Sequence, residues 1–318
     1  MNEKIQAFLT VIAKQKRYSE HTVEAYRRDI EEFQAYLETE AIGDFDEVDY
    51  TMLRGFLSEL YDRALEPSTI ARKLSSLRSF YDYLLEEKLI NDNPFLLIHA
   101  PKQKRQNPDF LYEDEVELLL DHIDTHTDLG IRNKAMLELM YASGLRASEV
   151  VELRLANLDL NACLVHVLGK GKKERLVPFH PYCQQWLMSY VTEARENIML
   201  ANGENHDVVF VNQRGKPLTT RGLRDILDRT SLKAGLGRHI HPHALRHTFA
   251  STLLDHGADI RFVQEMLGHA SLSTTQIYTH ISMEKLKQTY LQTHPLAKTE
   301  KGYYSPIEEG EKTCQEEN

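Results

Sequence analysis

Three prolines and a basic cluster fall in the stretch 91–110, NDNPFLLIHAPKQKRQNPDF. Proline lacks the N–H that a helix interior needs and clashes with the preceding turn, so no continuous helix crosses this stretch. A chain of 318 residues also exceeds what one core normally serves, so it is read as two domains joined here. Before the junction, apolar residues recur only at helical spacing. Ile5, Phe8, Leu9 and Ile12 form one stripe. Ser19 is placed to cap a second helix bearing Tyr26, Ile30, Phe33 and Leu37, and Asp49 a third bearing Leu53, Phe56, Leu57 and Leu60. Pro67-Ser68 opens a fourth, through Ile70, Leu74, Leu77, Tyr81 and Leu84. Four helices with short joints predict a small bundle.

After the junction the pattern changes. Helical spacing predicts helices over 113–124, 130–143, 181–198, 219–234, 243–256, 259–267 and 283–292. Between them, ACLVHVLGKGKKERLVPF alternates on both sides of Gly169-Lys170-Gly171-Lys172, the pattern of a β-hairpin with glycines at its turn. A further strand is predicted at Val208–Val211, turning through Asn212–Lys216. The fold class is therefore mainly α with a small β-sheet (α+β). The divisions are 1–90, a linker over 91–110, a second domain over 111–298, and a tail over 299–318.

The net charge of -10 looks hostile to nucleic acid, but its distribution matters more. Residues 1–100 hold 12 basic and 19 acidic residues, whereas 111–298 hold 21 and 22. The second domain is thus nearly neutral and can carry local basic surfaces. The tail has two basic and six acidic residues with little apolar content, and is expected to be disordered. No apolar run of 18 residues occurs, which excludes a membrane-spanning helix. The N-terminus reads as a helix and not as a signal peptide. Cys163, Cys183 and Cys314 are too sparse for a disulfide framework or a metal knuckle, so a reducing cytoplasm is expected.

Four segments could carry chemistry: Gly144–Glu149, the hairpin Gly169–Arg175, His241–His247, and Leu267-Gly268-His269 followed by Gln276–His280. Each alone has a bland reading as a surface arginine, a solvated lysine, a helix cap or a packed tyrosine. His243 and His247 have the i,i+4 spacing of metal ligands, yet no H-E-x-x-H glutamate accompanies them. Arg246 lies between them instead, and a guanidinium grips anionic oxygens.

Together the segments give one order: Arg146, Lys170 on a hairpin, His243-x-x-Arg246, His269 and Tyr278, at spacings of 24, 73, three, 23 and nine. With HPHALRHTFAS and LLDHGADIRFVQEMLGHASLSTTQIYTH, this resembles the tyrosine recombinases of the phage integrase family, of the Xer type, over roughly 1–295. The resemblance implies an N-terminal helical, SAM-like core-binding domain and a C-terminal catalytic domain closing as a C-shaped clamp on DNA. It implies that Arg146 and Arg246 hold the scissile phosphate, that His243 and His269 add hydrogen bonds, and that Tyr278 is the nucleophile. Lys170 would protonate the leaving 5′ oxygen. No metal or cofactor is called for.

Further implications concern partners. Arg27 and Arg28 on the second helix, and Arg72, Lys73 and Arg78 on the fourth, would meet DNA, against a plain reading as a solvated surface. A second, XerD-like recombinase would complete a cyclic heterotetramer, linked by the helix over 283–292 docking on a neighbour, and a cell-division DNA translocase is a further possible partner. The implied role is the resolution of chromosome dimers at a dif-type site. The alternatives are a mobile-element integrase, a DNA clamp that does not cut, and a zinc hydrolase built on the histidines.

Overall fold

The computed structural model describes residues 1–16, 18–98, 101, 110–168, 174–268 and 283–297. Two compact units divide the chain, Met1–Gln106 and Asn107–Asn318. The first holds α1 (Asn2–Lys14), α2 (Glu20–Thr39), α3 (Tyr50–Asp62) and α4 (Pro67–Glu86). Their starts follow from local chemistry. Ser19 Oγ accepts the Thr22 amide, Asp49 accepts the Met52 amide, and Pro67 sits where a helix needs no N–H. Each helix turns its apolar stripe inward onto a shared aromatic cluster. Phe33 meets Phe56 edge-on at 4.9 Å and Phe45 meets Phe80 at 5.0 Å. Such pairs add about 0.5–1.5 kcal/mol beyond area burial.

The stretch after α4 is not wholly a connection. Asn93 caps a short 3₁₀ turn at Pro94–Leu97, and Phe95 and Ile98 are buried in the first core. Apolar residues at this end had a core to cover. Arg78 fastens the turn by donating to the carbonyls of Phe95 and Ile98, at 3.3 and 2.9 Å.

The second unit begins with α5 (Glu113–Asp121) and α6 (Asp128–Ser143). Helix α6 is buried along most of its length and forms the centre of this unit. Gly144 ends it in the left-handed conformation (φ +58°), and α7 (Ala147–Val151) follows at once. A three-stranded antiparallel sheet runs β1 (Leu158–Asp159), β2 (Leu164–Leu168), β3 (Glu174–Pro178). Leu168 pairs with Glu174, so the hairpin exists as expected, with its tip 169–173 outside the described residues. Strand β1 was not anticipated. The long helix predicted from 181 is α8 (Pro181–Ser189) and α9 (Arg195–Asn202), joined by a π-turn at Tyr190–Ala194.

The predicted strand at 208–211 makes only isolated bridges, at Val208 with Arg154 and at Val211 with Pro217. Side chains take up much of its hydrogen bonding. Arg195 donates to Val208 O, the Tyr190 hydroxyl donates to Val209 O and accepts the Val211 amide, and Arg132 donates to Val211 O.

Helices α10 (Thr220–Lys233), α11 (Pro242–Asp255), α12 (Ile260–Leu267) and α13 (Met283–Thr293) complete the unit. Leu286 and Tyr290 of α13 are buried in this same unit, and the Tyr290 hydroxyl donates to Ala142 O at 2.8 Å. In the chain by itself, the helix expected to dock on a neighbour covers its own core. Among the described residues, no helix is long and apolar enough to cross a membrane. The tail 299–318 and the basic residues 102–105 lie outside the described residues.

Candidate active site

The α6–α7 junction positions the first arginine. Gly144 turns the chain where a side chain could not sit: a Cβ there would meet Phe249 Cδ1 at 2.3 Å. Arg146 follows as the residue before α7, exposed to solvent. Its amide donates to Glu149 Oε2 at 2.8 Å, and its guanidinium donates to Glu149 Oε1 at 2.9 Å. That carboxylate in the first turn of α7 satisfies an orphan helix amide and holds the arginine at once.

A second arginine reaches Glu149 from the sheet. Arg175 on β3 is buried, and it donates to both carboxylate oxygens at 2.9 and 2.8 Å. Its Nε donates to Met266 O at the end of α12, at 3.0 Å. Burial pushes the Glu149 carboxyl upward, but the Arg175 hydrogen bonds, the Arg146 amide and both guanidinium charges hold it below the ordinary glutamate range.

Arg246 comes from the second turn of α11 and is also buried. It donates to Gly144 O and to Leu267 O. It therefore ties the corner that presents Arg146 to the last turn of α12. Burial, with the repulsive charges of Arg146 and Arg175, lowers its guanidinium to about 10, although Glu149 opposes this. Arg246 stays protonated at neutral pH and is poorly neutralised, a setting that favours an anion. His243 lies three residues earlier, exposed on the first turn of α11.

Helix α12 ends at Gly268, in the left-handed conformation (φ +66°), where a Cβ would meet Arg175 Cδ at 3.2 Å. His269 is the next residue in the chain. Lys170, His269 and Tyr278 lie outside the described residues. Of the six expected catalytic residues, the structure brings Arg146 and Arg246 to one corner and sets His243 one helical turn from Arg246. Sequence reasoning did not nominate Glu149 or Arg175. The available signal was their membership of two singled-out segments.

His239 faces Asp228 at 3.5 Å, and His247 is exposed near Phe110. Among the described residues, no three His, Cys, Asp or Glu side chains converge to hold a metal.

The expected DNA contacts on α2 and α4 separate into two groups. Lys73 is buried against Asp29 and Glu32, and Asp29 also receives Arg72 and the Ser76 hydroxyl. Lys73 is thus withdrawn as a DNA contact, because it neutralises a buried carboxylate. Arg78 is half-buried, with its guanidinium donating to the carbonyls of the 94–98 turn. Arg27 and Arg28 pair with Glu24 within their own helix, and Arg72 is half-exposed, so these three stay accessible.

Arg146 and Arg246 thus meet at a helix corner beside a strand hairpin, an arrangement suited to an anion, in a two-unit α+β protein. The phage integrase family matches residues 109–285, and the N-terminal SAM-like domain of phage integrases matches residues 5–88. The chain belongs to the phage integrase family: it is a tyrosine recombinase, an enzyme that cuts and rejoins DNA in site-specific recombination. It is 47% identical over 293 residues to tyrosine recombinase XerC of Bacillus subtilis (strain 168), covering 92% of this chain and 96% of that one. It is 45% identical over 292 residues to tyrosine recombinase XerC of Lacticaseibacillus casei (strain BL23), covering 92% and 98%. Among solved structures it resembles XerH recombinase bound to palindromic difH substrate, with a TM-score of 0.65 and 26% identity over 90% of this chain and 84% of that chain. A lambda integrase tetramer bound to a Holliday junction shares the fold, with a TM-score of 0.62 and 17% identity over 86% and 75%.

Proposed function

We propose that this recombinase acts at a dif-type site and resolves chromosome dimers before cell division. One observation carries the chemistry. Arg246, buried and bonded to Gly144 O two residues before Arg146, also feels the Arg146 charge, so the two guanidinium groups lie near each other at this helix corner. Two of the five guanidinium N–H groups of Arg246 go to carbonyls, which leaves donors for a phosphate. The likeness to XerC and to XerH on a difH substrate supports the dif-type role.

In this reading the Tyr278 phenolate oxygen attacks the scissile phosphorus. A 3′-phosphotyrosyl bond forms, the bond from phosphorus to the 5′ oxygen breaks, and that oxygen takes a proton from the Lys170 ammonium. Arg146 and Arg246 stabilise charge on the non-bridging oxygens, an effect worth about a hundredfold to a thousandfold per donor. His243 and His269 add hydrogen bonds and move protons. A phenol ionises near pH 10 when unperturbed, so the cationic neighbourhood helps it attack at neutral pH. The phosphotyrosyl bond conserves the phosphodiester energy, and religation needs no nucleotide cofactor. Arg27, Arg28 and Arg72 position the duplex from the N-terminal unit. The partners are duplex DNA, a second, XerD-like recombinase in a cyclic heterotetramer, and a cell-division DNA translocase, all in the cytoplasm.

The test is incubation with nicked duplex carrying a candidate dif-type site, followed by a denaturing gel. A covalent protein–DNA adduct is expected from the wild-type chain and none from Tyr278→Phe, which removes one oxygen and little volume. An adduct that persists in the Phe variant overturns Tyr278 as nucleophile. An adduct on a mobile-element end but not on the dif-type site favours the integrase alternative.

A further inference from the structure

A second cationic site lies in the catalytic unit, away from the arginine corner. A cleft of about 550 Å³ opens between the first turns of α6, the 212–218 turn and one face of α10. Arg132, Arg214, Arg229 and Lys233 line it, with the side-chain amides of Asn133 and Asn212. No carboxylate is among its lining residues. In a domain whose charges nearly balance, four cations without an acid concentrate a positive potential in one concavity.

The four cations play different parts. Arg132 is buried and fixed: it donates to Val211 O at 2.9 Å and twice to Asn133 Oδ1, at 3.1 and 2.7 Å. All of its partners are neutral, so its charge is uncompensated. Arg229 and Lys233 are exposed, one turn apart on α10, and Arg214 is exposed on the facing turn. Among the described residues, none of these three has an ion pair, although the surface elsewhere pairs cations freely, as at Arg154 with Asp207 and Arg238 with Glu115. The Arg229 charge helps to depress the Arg132 guanidinium, behind the larger effect of burial, so the two cations sense each other. An anion between them relieves that repulsion, and a phosphate matches guanidinium geometry.

We propose that this cleft seats backbone phosphates of the bound duplex outside the cleavage point, with Arg229 and Lys233 as the main contacts. This rests on the reading of the chain as a DNA recombinase. Such contacts fix register and carry no sequence information.

The experiment compares the full chain with the double variant Arg229→Gln/Lys233→Gln. A control, Lys14→Gln/Lys88→Gln, removes the same charge from exposed positions of the first unit. Equilibrium binding is measured against salt on a recombination-site duplex and on a scrambled duplex of equal length. The cleft variant is expected to weaken binding equally on both duplexes. Its plot of log affinity against log salt should be shallower by about two, since each lost phosphate contact removes about 0.9 from the slope. Slopes equal to the control overturn the proposal, and so does a loss confined to the recombination site, which would mean base reading. The same comparison is repeated on chains lacking 299–318. If the variant's defect vanishes there, the cleft seats the acidic tail and the proposal falls. A wild-type chain that binds no DNA sinks the recombinase reading instead, which keeps the two failures distinct.

Discussion

Arg175 holds both oxygens of the Glu149 carboxylate while its Nε holds Met266 O. One buried side chain on β3 thereby joins the start of α7, where Arg146 sits, to the end of α12, which leads to His269. Removing it leaves Glu149 buried with half of its neutralisation gone. Arg175→Ala should cost about 3–5 kcal/mol in urea unfolding, as breaking a buried ion pair does. The double variant Arg175→Met/Glu149→Leu should recover much of that stability but not cleavage, because Arg146 then lacks its carboxylate. Recovery of both would show that the pair serves folding alone.

Arg246→Ala should lose far more cleavage than Arg246→Lys, with both impaired. A lysine keeps the charge but cannot bond Gly144 O and Leu267 O together and still fork onto a phosphate. Single-turnover cleavage on saturating nicked substrate checks this. Equal residual rates would mean that the fork is irrelevant.

Lys170→Ala should slow cleavage of an ordinary 5′-oxygen leaving group. A substrate with a bridging 5′ sulfur should escape most of the defect, since a thiolate leaves without a proton. Equal defects on the two substrates would remove Lys170 as the acid.

Acid should weaken the catalytic unit through His294. This side chain follows α13 and is buried among Tyr141, Phe249, Tyr290 and His180, with His180 at 4.9 Å. Burial pushes His294 down to about 3, and His180 falls in the same direction. A histidine lowered in the folded state stabilises it fully above the free value near 6.5. That stability is lost as pH falls from about 6.5 towards about 3, at up to about 1.4 kcal/mol per unit. Urea midpoints at about pH 7 and about pH 5 should differ less in His294→Phe than in the wild type. Identical differences would exclude His294 as a source of acid sensitivity.

Much of the fold was legible because its signals are local. Ser19, Asp49 and Pro67 announce helix starts, and the stripe from Ile70 to Leu84 announces a buried face. The hairpin was legible from alternation around glycines. What escaped depends on partners distant in sequence. Lys73 reads as surface because it is charged, yet it lies between Ile70 and Leu77 on the inward face, where Asp29 of another helix receives it. Arg175 stands in the sequence only as the end of a hairpin segment, and only folding sets it against Glu149, 26 residues earlier. The strand predicted at 208–211 has suitable apolar residues, but its backbone meets only brief stretches at Leu153–Leu155 and Pro217–Leu218, too short to build a ladder.

That last segment has a consequence for how copies of the protein meet. Unpaired strand edges invite another chain to add a strand, which is a route to aggregation. Here Arg195, Tyr190 and Arg132 occupy the carbonyls of Val208, Val209 and Val211, and Tyr190 also takes the Val211 amide. An incoming backbone would have to displace two guanidinium groups and a phenol from buried positions. The segment is strand-like in sequence yet closed to edge-on recruitment, so two copies of the chain do not meet through this part of the backbone.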